Sequence, residues 1–135
     1  KLLSAALNHN NIGFTYFKMR NYSRARKFLL HSYKTAKKNH DRSGMLVSMV
    51  NLSYCYAASR PIVGCELATR ATKLAINSGN RFQYGRALDA LGDGHCALND
   101  YETALEIWRD AELVFKACGA PEAEEVIAKV AKLRE

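Results

Sequence analysis

Two aspartates, Asp89 and Asp93, stand four residues apart with His95 just beyond them. On a helix that step puts both carboxylates on one face. Paired carboxylates beside an imidazole could serve general acid–base chemistry or hold a metal ion. His95, however, falls where two other stretches of the chain carry Tyr16 and Tyr56. It therefore reads as an aromatic core residue, with the aspartates on the other side of the helix. His9, His31 and His40 show no ligand spacing with one another, and no Gly-Lys-Ser/Thr or Gly-rich phosphate loop occurs. Cys55, Cys65, Cys96 and Cys118 form no Cys-x-x-Cys and no zinc-like pairing with histidine, so all four read as reduced, small core residues of a cytosolic protein. The expectation is no catalytic residue, no metal and no cofactor: a binding protein, not an enzyme, in the cytoplasm.

Charge points to surfaces rather than to a reaction centre. Residues 1–42 carry ten Lys/Arg against one acid, whereas residues 100–135 carry five against nine. Arg24, Lys27, Lys34 and Lys38 recur at three-, four- and seven-residue steps, which makes a basic outer stripe on one helix. The plainest reading of that stripe is a solvated outer face. Docking on an acidic protein surface, including the acidic end of another copy, comes second. Sequence-independent contact with a nucleic-acid backbone through the basic N-terminal repeat comes third. No apolar run is long enough for a membrane span, which needs roughly 18 residues. The opening at Lys1 without a methionine reads as a fragment of a larger protein.

What must position these residues is a repeat. Ile12-Gly13, Leu52-Ser53 and Leu91-Gly92 are 40 and 39 residues apart, and a ring follows each small residue by three: Tyr16, Tyr56, His95. Each unit then turns (Asn21-Tyr22, Pro61-Ile62, Asp100-Tyr101) into a second apolar stripe. The stripes are Ala25, Leu29, Ser32, Ala36; Gly64, Ala68, Ala71, Ala75, with the turn one residue shorter; and Ala104, Trp108, Ala111, Phe115. Steps of i, i+4, i+7 and i+11 lie on one helical face. Small residues let two helix axes approach, and large ones one turn away fill the groove. One hairpin cannot cover its own apolar side, so such units must stack.

The expected fold is all-α, a right-handed superhelix of three helix-turn-helix repeats closed by a capping helix. The spacing predicts helices over 2–19, 22–38, 42–58, 62–77, 81–98, 101–118 and 121–134. As one domain, 1–135, the repeats run about 1–40, 41–79 and 80–119, with the cap over 120–135. Gly79 and Gly119 suit helix ends that need positive φ, and Asp41, Asn80 and Asp100 suit N-caps. The period exceeds the 34 residues usual for tetratricopeptide repeats. Segments such as 41–45 and 80–84 are expected to lengthen each first helix by about a turn.

These residues carry a resemblance. The Leu-Gly-x-x-Tyr and Ala-x-x-x-Phe pattern is similar to that of tetratricopeptide (TPR) repeats, with Leu29 or Trp108 standing for the Phe. The last unit runs from Ala87-Leu88 through Leu91-Gly92-Asp93, His95, Ala97-Leu98, Asp100-Tyr101, Ala104, Trp108, Ala111, Phe115 and Gly119 to Pro121-Glu122-Ala123. It resembles the C-terminal TPR region of bacterial, chiefly actinobacterial, AfsR/SARP-like transcriptional regulators and related NB-ARC ATPases. The resemblance implies a sensor array that binds a partner or restrains a nucleotide-binding switch. A stand-alone TPR adaptor or a peptide-pheromone receptor is the competing expectation.

On that reading the ligand site is a concave groove along the first helices. Asn11 and Asn51 occupy equivalent places, and TPR proteins that bind peptide backbones resemble this, an asparagine there offering donor and acceptor together. Asn10, Phe14, Phe17, Lys18 and Tyr54 flank them, and Arg86, Asp89 and Asp93 supply a charged second half. Phe14, Phe17 and Tyr54 either face a ligand or pack against the next repeat. The expected occupant is a protein or peptide segment, including one from the same full-length chain. Because Asn10 and Phe14 replace a lysine and an asparagine of the clamp that grips chaperone C-termini, chaperone tails should bind poorly.

Overall fold

Asn21, Asp41 and Asn80 each accept a bond on a side-chain oxygen from the amide three residues on (Arg24, Gly44 and Gln83, at 3.3, 3.0 and 3.1 Å). That bond satisfies one of the amides a helix start leaves free. At the opposite ends Arg20, His40, Gly79, Asn99 and Gly119 have φ between 54° and 67°. This left-handed residue stops the helix, and glycine adopts it without steric cost. Arg20 and His40 adopt it against a cost of roughly 1–2 kcal/mol each. The helix starts at Pro61, Tyr101 and Glu122 lack a side-chain cap bond, the expected cap Asp100 included. One connection has no left-handed residue either: Pro61, whose ring presets a helical φ, starts the next helix directly after Arg60.

A computed structural model describes the backbone of residues 2–135 and the side chains from Asn8 onward. The expected repeat boundary at residue 1 lies outside the described residues. The helices are α1 (Leu2–Lys18), α2 (Tyr22–Lys38), α3 (Arg42–Ser59), α4 (Pro61–Ser78), α5 (Arg81–Ala97), α6 (Tyr101–Ala117) and α7 (Glu122–Leu133). Among the described residues there is no strand, and no helix is long and apolar enough to cross a membrane. The expected boundaries agree to within a residue. The surplus in the period does not lengthen the first helices alone. All six hairpin helices are 17 or 18 residues long, so both arms of each hairpin share it.

Each helix packs on the next, and the first helices of successive units also touch, α1 on α3 and α3 on α5. The buried faces of the second helices are the three expected stripes, Ala25 to Ala36, Gly64 to Ala75 and Ala104 to Phe115. Burial follows the shortened middle turn: Thr69 and Ile76 of the alternative register face solvent. Close approach explains the small residues. A Cβ on Gly13 would collide with Leu29, and one on Gly92 with Trp108. Trp108 itself is 4% exposed and packs with Leu88, Ala123 and Val126, between the third hairpin and α7.

The cysteines depart from expectation in one respect. All four are free thiols, but only Cys55 is fully buried; Cys65 and Cys96 are half-buried and Cys118 is exposed. Cys118 closes the end of α6, past the last buried turn, so it is not a core residue.

Candidate functional site

Stacking the hairpins sets α1, α3 and α5 side by side, and Lys129 of α7 reaches across to Asp89 and Asp93 of α5. A groove of about 590 Å³ opens along them, lined by Phe14, Phe17 and Lys18 of α1, Tyr54 of α3, Phe82, Arg86, Asp89 and Asp93 of α5, and Glu122, Glu125 and Lys129 of α7. Seven of the ten expected groove residues line it: Phe14, Phe17, Lys18, Tyr54, Arg86, Asp89 and Asp93.

The other three do not. Asn10 is buried and donates to Ser48 Oγ at 3.1 Å. Asn51, also buried, donates to Asn10 Oδ1 at 3.4 Å and accepts from Arg86 at 2.7 Å. Its donor and acceptor are thus spent inside the fold. Asn11 faces away, exposed beside Ile12, Thr15, Tyr16 and Met19. The equivalence of Asn11 and Asn51 holds in sequence but not in surroundings. Asn51 lies between two neighbouring hairpins, and no described hairpin precedes α1.

Every step between first helices is bridged by buried polar groups. Asn10 joins α1 to α3, and Arg86 joins α3 to α5 while its second nitrogen donates to Gln83 at 3.1 Å. Tyr54 donates to Asp89 at 2.6 Å, and Lys129 of α7 donates to Asp89 at 2.9 Å and to Asp93 at 2.8 Å. Trp108 Nε1 donates to the Asp89 carbonyl at 3.2 Å. Buried polar groups are costly unless paired, and here they are paired. Rings complete the surface: Phe14 stacks on Phe17 with centroids 5.3 Å apart and meets Tyr54 edge-on at 5.9 Å. The Arg86 guanidinium lies 5.1 Å from the Phe14 centroid and 5.2 Å from that of Tyr54, within cation–π range. Phe14 and Phe17 pack on Tyr54 of the next first helix, and all three rings line the groove, Tyr54 buried and the other two half-buried.

One lysine serves two carboxylates, and the electrostatics follow. Burial, then the charge of Asp89, pushes the Asp93 carboxyl up to about 7, with Lys129 pulling the other way. Burial alone would lower the Lys129 ammonium, but the charges of Asp93 and Asp89 hold it above its ordinary value. Burial and then the neighbouring Asp89 raise the Tyr54 phenol well above its ordinary value, so it stays protonated and donates. His95 is not a core ring: half-buried, it pairs with Asp100 at 3.3 Å. Among the described residues, no three His, Cys, Asp or Glu side chains are grouped so as to hold a metal ion.

The basic stripe is on the outside. Arg24, Lys27, Lys34 and Lys38 are all exposed on α2, and Arg24 sits over the Tyr16 ring at 5.7 Å. Lys27 and Lys34 flank a second, shallower cavity of about 440 Å³ with His9, Phe28, Leu30 and His31.

Reasoning from sequence missed Phe82, Glu122, Glu125 and Lys129. A signal for Lys129 was present, since it stands 40 residues after Asp89, one repeat on, with opposite charge. No family model matches the chain, and no curated protein matches it.

Proposed function

We propose that the chain is a binding module of the helical-repeat class, whose concave groove holds a segment of a protein or peptide. More particularly, it is a TPR-like right-handed superhelix acting as the regulatory array of a bacterial transcriptional regulator. Its occupant is a partner protein or another part of the same polypeptide. One observation carries the reading: four first-type helices converge on a groove whose wall offers half-buried phenyl rings beside charged groups. Such anchors in a concave site are what segment recognition uses. The carboxylates that could have suggested catalysis are engaged by Tyr54 and Lys129, which favours a scaffold over a catalyst.

A photo-crosslinking amino acid tests this at Phe82 in the groove and, as control, at Leu113, which is 66% exposed outside it. In cells of the source organism, position 82 should trap one defined protein segment that position 113 does not. Equal trapping at both positions would remove the groove from consideration. A second reading rests on the exposed cations of α2; the single acid of residues 1–42, Asp41, is used to cap α3. If that face met a phosphate backbone, binding would weaken steeply with salt.

A further inference from the structure

The charged groups on the floor of the groove are already engaged inside the fold. Arg86 is held by Asn51 and Gln83, and Lys129 by Asp89 and Asp93. A ligand charge aimed at Asp89, Asp93 or Lys129 would have to break an internal ion pair in a partly dry site, and such pairs are costly to break. Arg86, bonded to neutral amides and set against the Phe14 and Tyr54 rings, keeps its positive charge and repels a ligand cation. The floor therefore contributes shape and rings. The carboxylates that remain unpaired lie on the rim. Glu122 and Glu125 face the groove from the first turn of α7, and among the described residues neither makes an ion pair or side-chain hydrogen bond. Their neighbour Glu124 does not line the groove. At the opposite end Lys18 stands over the Phe14 ring at 5.3 Å, also without an acidic partner. The rings of Phe14, Phe17 and Phe82 line the same groove.

We propose that the groove selects segments carrying a large apolar side chain next to a lysine or arginine. The apolar side chain seats on Phe14, Phe17 and Phe82, and the cation reaches Glu122 and Glu125. Lys18 sets the direction by repelling that cation from the α1 end. This rests on the groove being the binding site and adds the chemistry of its occupant. Complementary rim charges mainly steer and discriminate, while buried apolar anchors hold. Recognition should accordingly be two-part: loss of the anchor abolishes binding, and loss of the rim charges relaxes the choice.

The test is selection of phage-displayed random 12-residue peptides on the whole chain, followed by titration of the enriched peptides. The wild type should enrich Leu, Met or aromatic residues adjoining Lys or Arg, and Phe14→Ala should lose those peptides. Glu122→Lys/Glu125→Lys should invert the selected charge and weaken the parent's peptides at least tenfold. Both glutamates also favour the start of α7, so Glu122→Gln/Glu125→Gln is run beside it, with circular dichroism to check folding. The amide variant should keep the apolar preference and lose the basic one. Peptides that need Phe14 yet show no basic preference, or the same preference on the amide variant, would overturn the inference and leave the groove intact. Enriched peptides indifferent to Phe14→Ala, or no enrichment at all, would overturn the groove reading itself.

Discussion

Lys129→Met removes the cation that α7 lends to α5 while retaining a long apolar stem. Asp89 is 4% exposed and Asp93 half-buried, so the substitution leaves two close carboxylates without a counter-ion. Two charge-assisted bonds, of 2.9 and 2.8 Å, are lost. Such bonds contribute about 1.5–3 kcal/mol each, and breaking a buried pair costs about 3–5 kcal/mol in total. Lys129 is one-third exposed, and methionine keeps the packing near Tyr54 and Trp108, so a loss of about 2–4 kcal/mol at pH 8 is expected. The loss should depend on pH in a fixed direction. A carboxyl whose folded value is raised binds more protons folded than unfolded, so its contribution is complete below its unfolded value and fades as pH rises through the folded one. With Asp93 raised to about 7, the wild type should already lose some stability between pH 4 and 7. Without Lys129 the slope should steepen and extend higher, and the defect should shrink at pH 5. The raised Lys129 ammonium contributes in full until pH exceeds the ordinary lysine range. Urea midpoints at pH 5, 6, 7 and 8 measure this, with Asp93→Asn/Lys129→Met expected to recover much of the loss. An equal defect at pH 5 and pH 8, or none at either, would refute the reasoning.

Trp108→Ala should cost about 3–5 kcal/mol, read from a urea midpoint, because the ring fills the joint between the third hairpin and α7. Gly92→Ala should cost about 1–3 kcal/mol, since its methyl meets that ring, whereas Gly79→Ala meets no atom and should show only the milder penalty of positive φ. His40→Gly should stabilise by less than about 1 kcal/mol in a thermal melt, relief of left-handed strain outweighing the extra freedom of the unfolded chain.

Periodic features were legible in the sequence. The stripes Ala25–Leu29–Ser32–Ala36 and Ala104–Trp108–Ala111–Phe115 are set by helical geometry and by close approach at Gly13 and Gly92, both of which are local in sequence. Even the middle register could be chosen, because threonine fits a packed seam worse than Gly64 and Ala68 do. The polar residues were less legible. An asparagine at a groove-side position reads the same whether its amide faces a ligand or an interior partner, and only three-dimensional contact showed Asn51 held by Asn10 and Arg86. Asn11 misled for the opposite reason, because its place in the pattern implied a neighbour that α1 lacks on that side among the described residues. Lys129 lies in the stretch expected only to cap the array, yet it stands one repeat after Asp89 and binds it.

The central claim, that the aligned first helices form the binding surface, is tested most directly by calorimetric titration. The probe is the segment trapped from position 82, made as a synthetic peptide and added to the wild type, to Phe14→Ala/Phe82→Ala and to Leu113→Ala. The account predicts saturable binding at one site, at least tenfold weaker for the groove variant and unchanged for Leu113→Ala, with all three chains equally helical. Binding unchanged by the loss of both rings would contradict it.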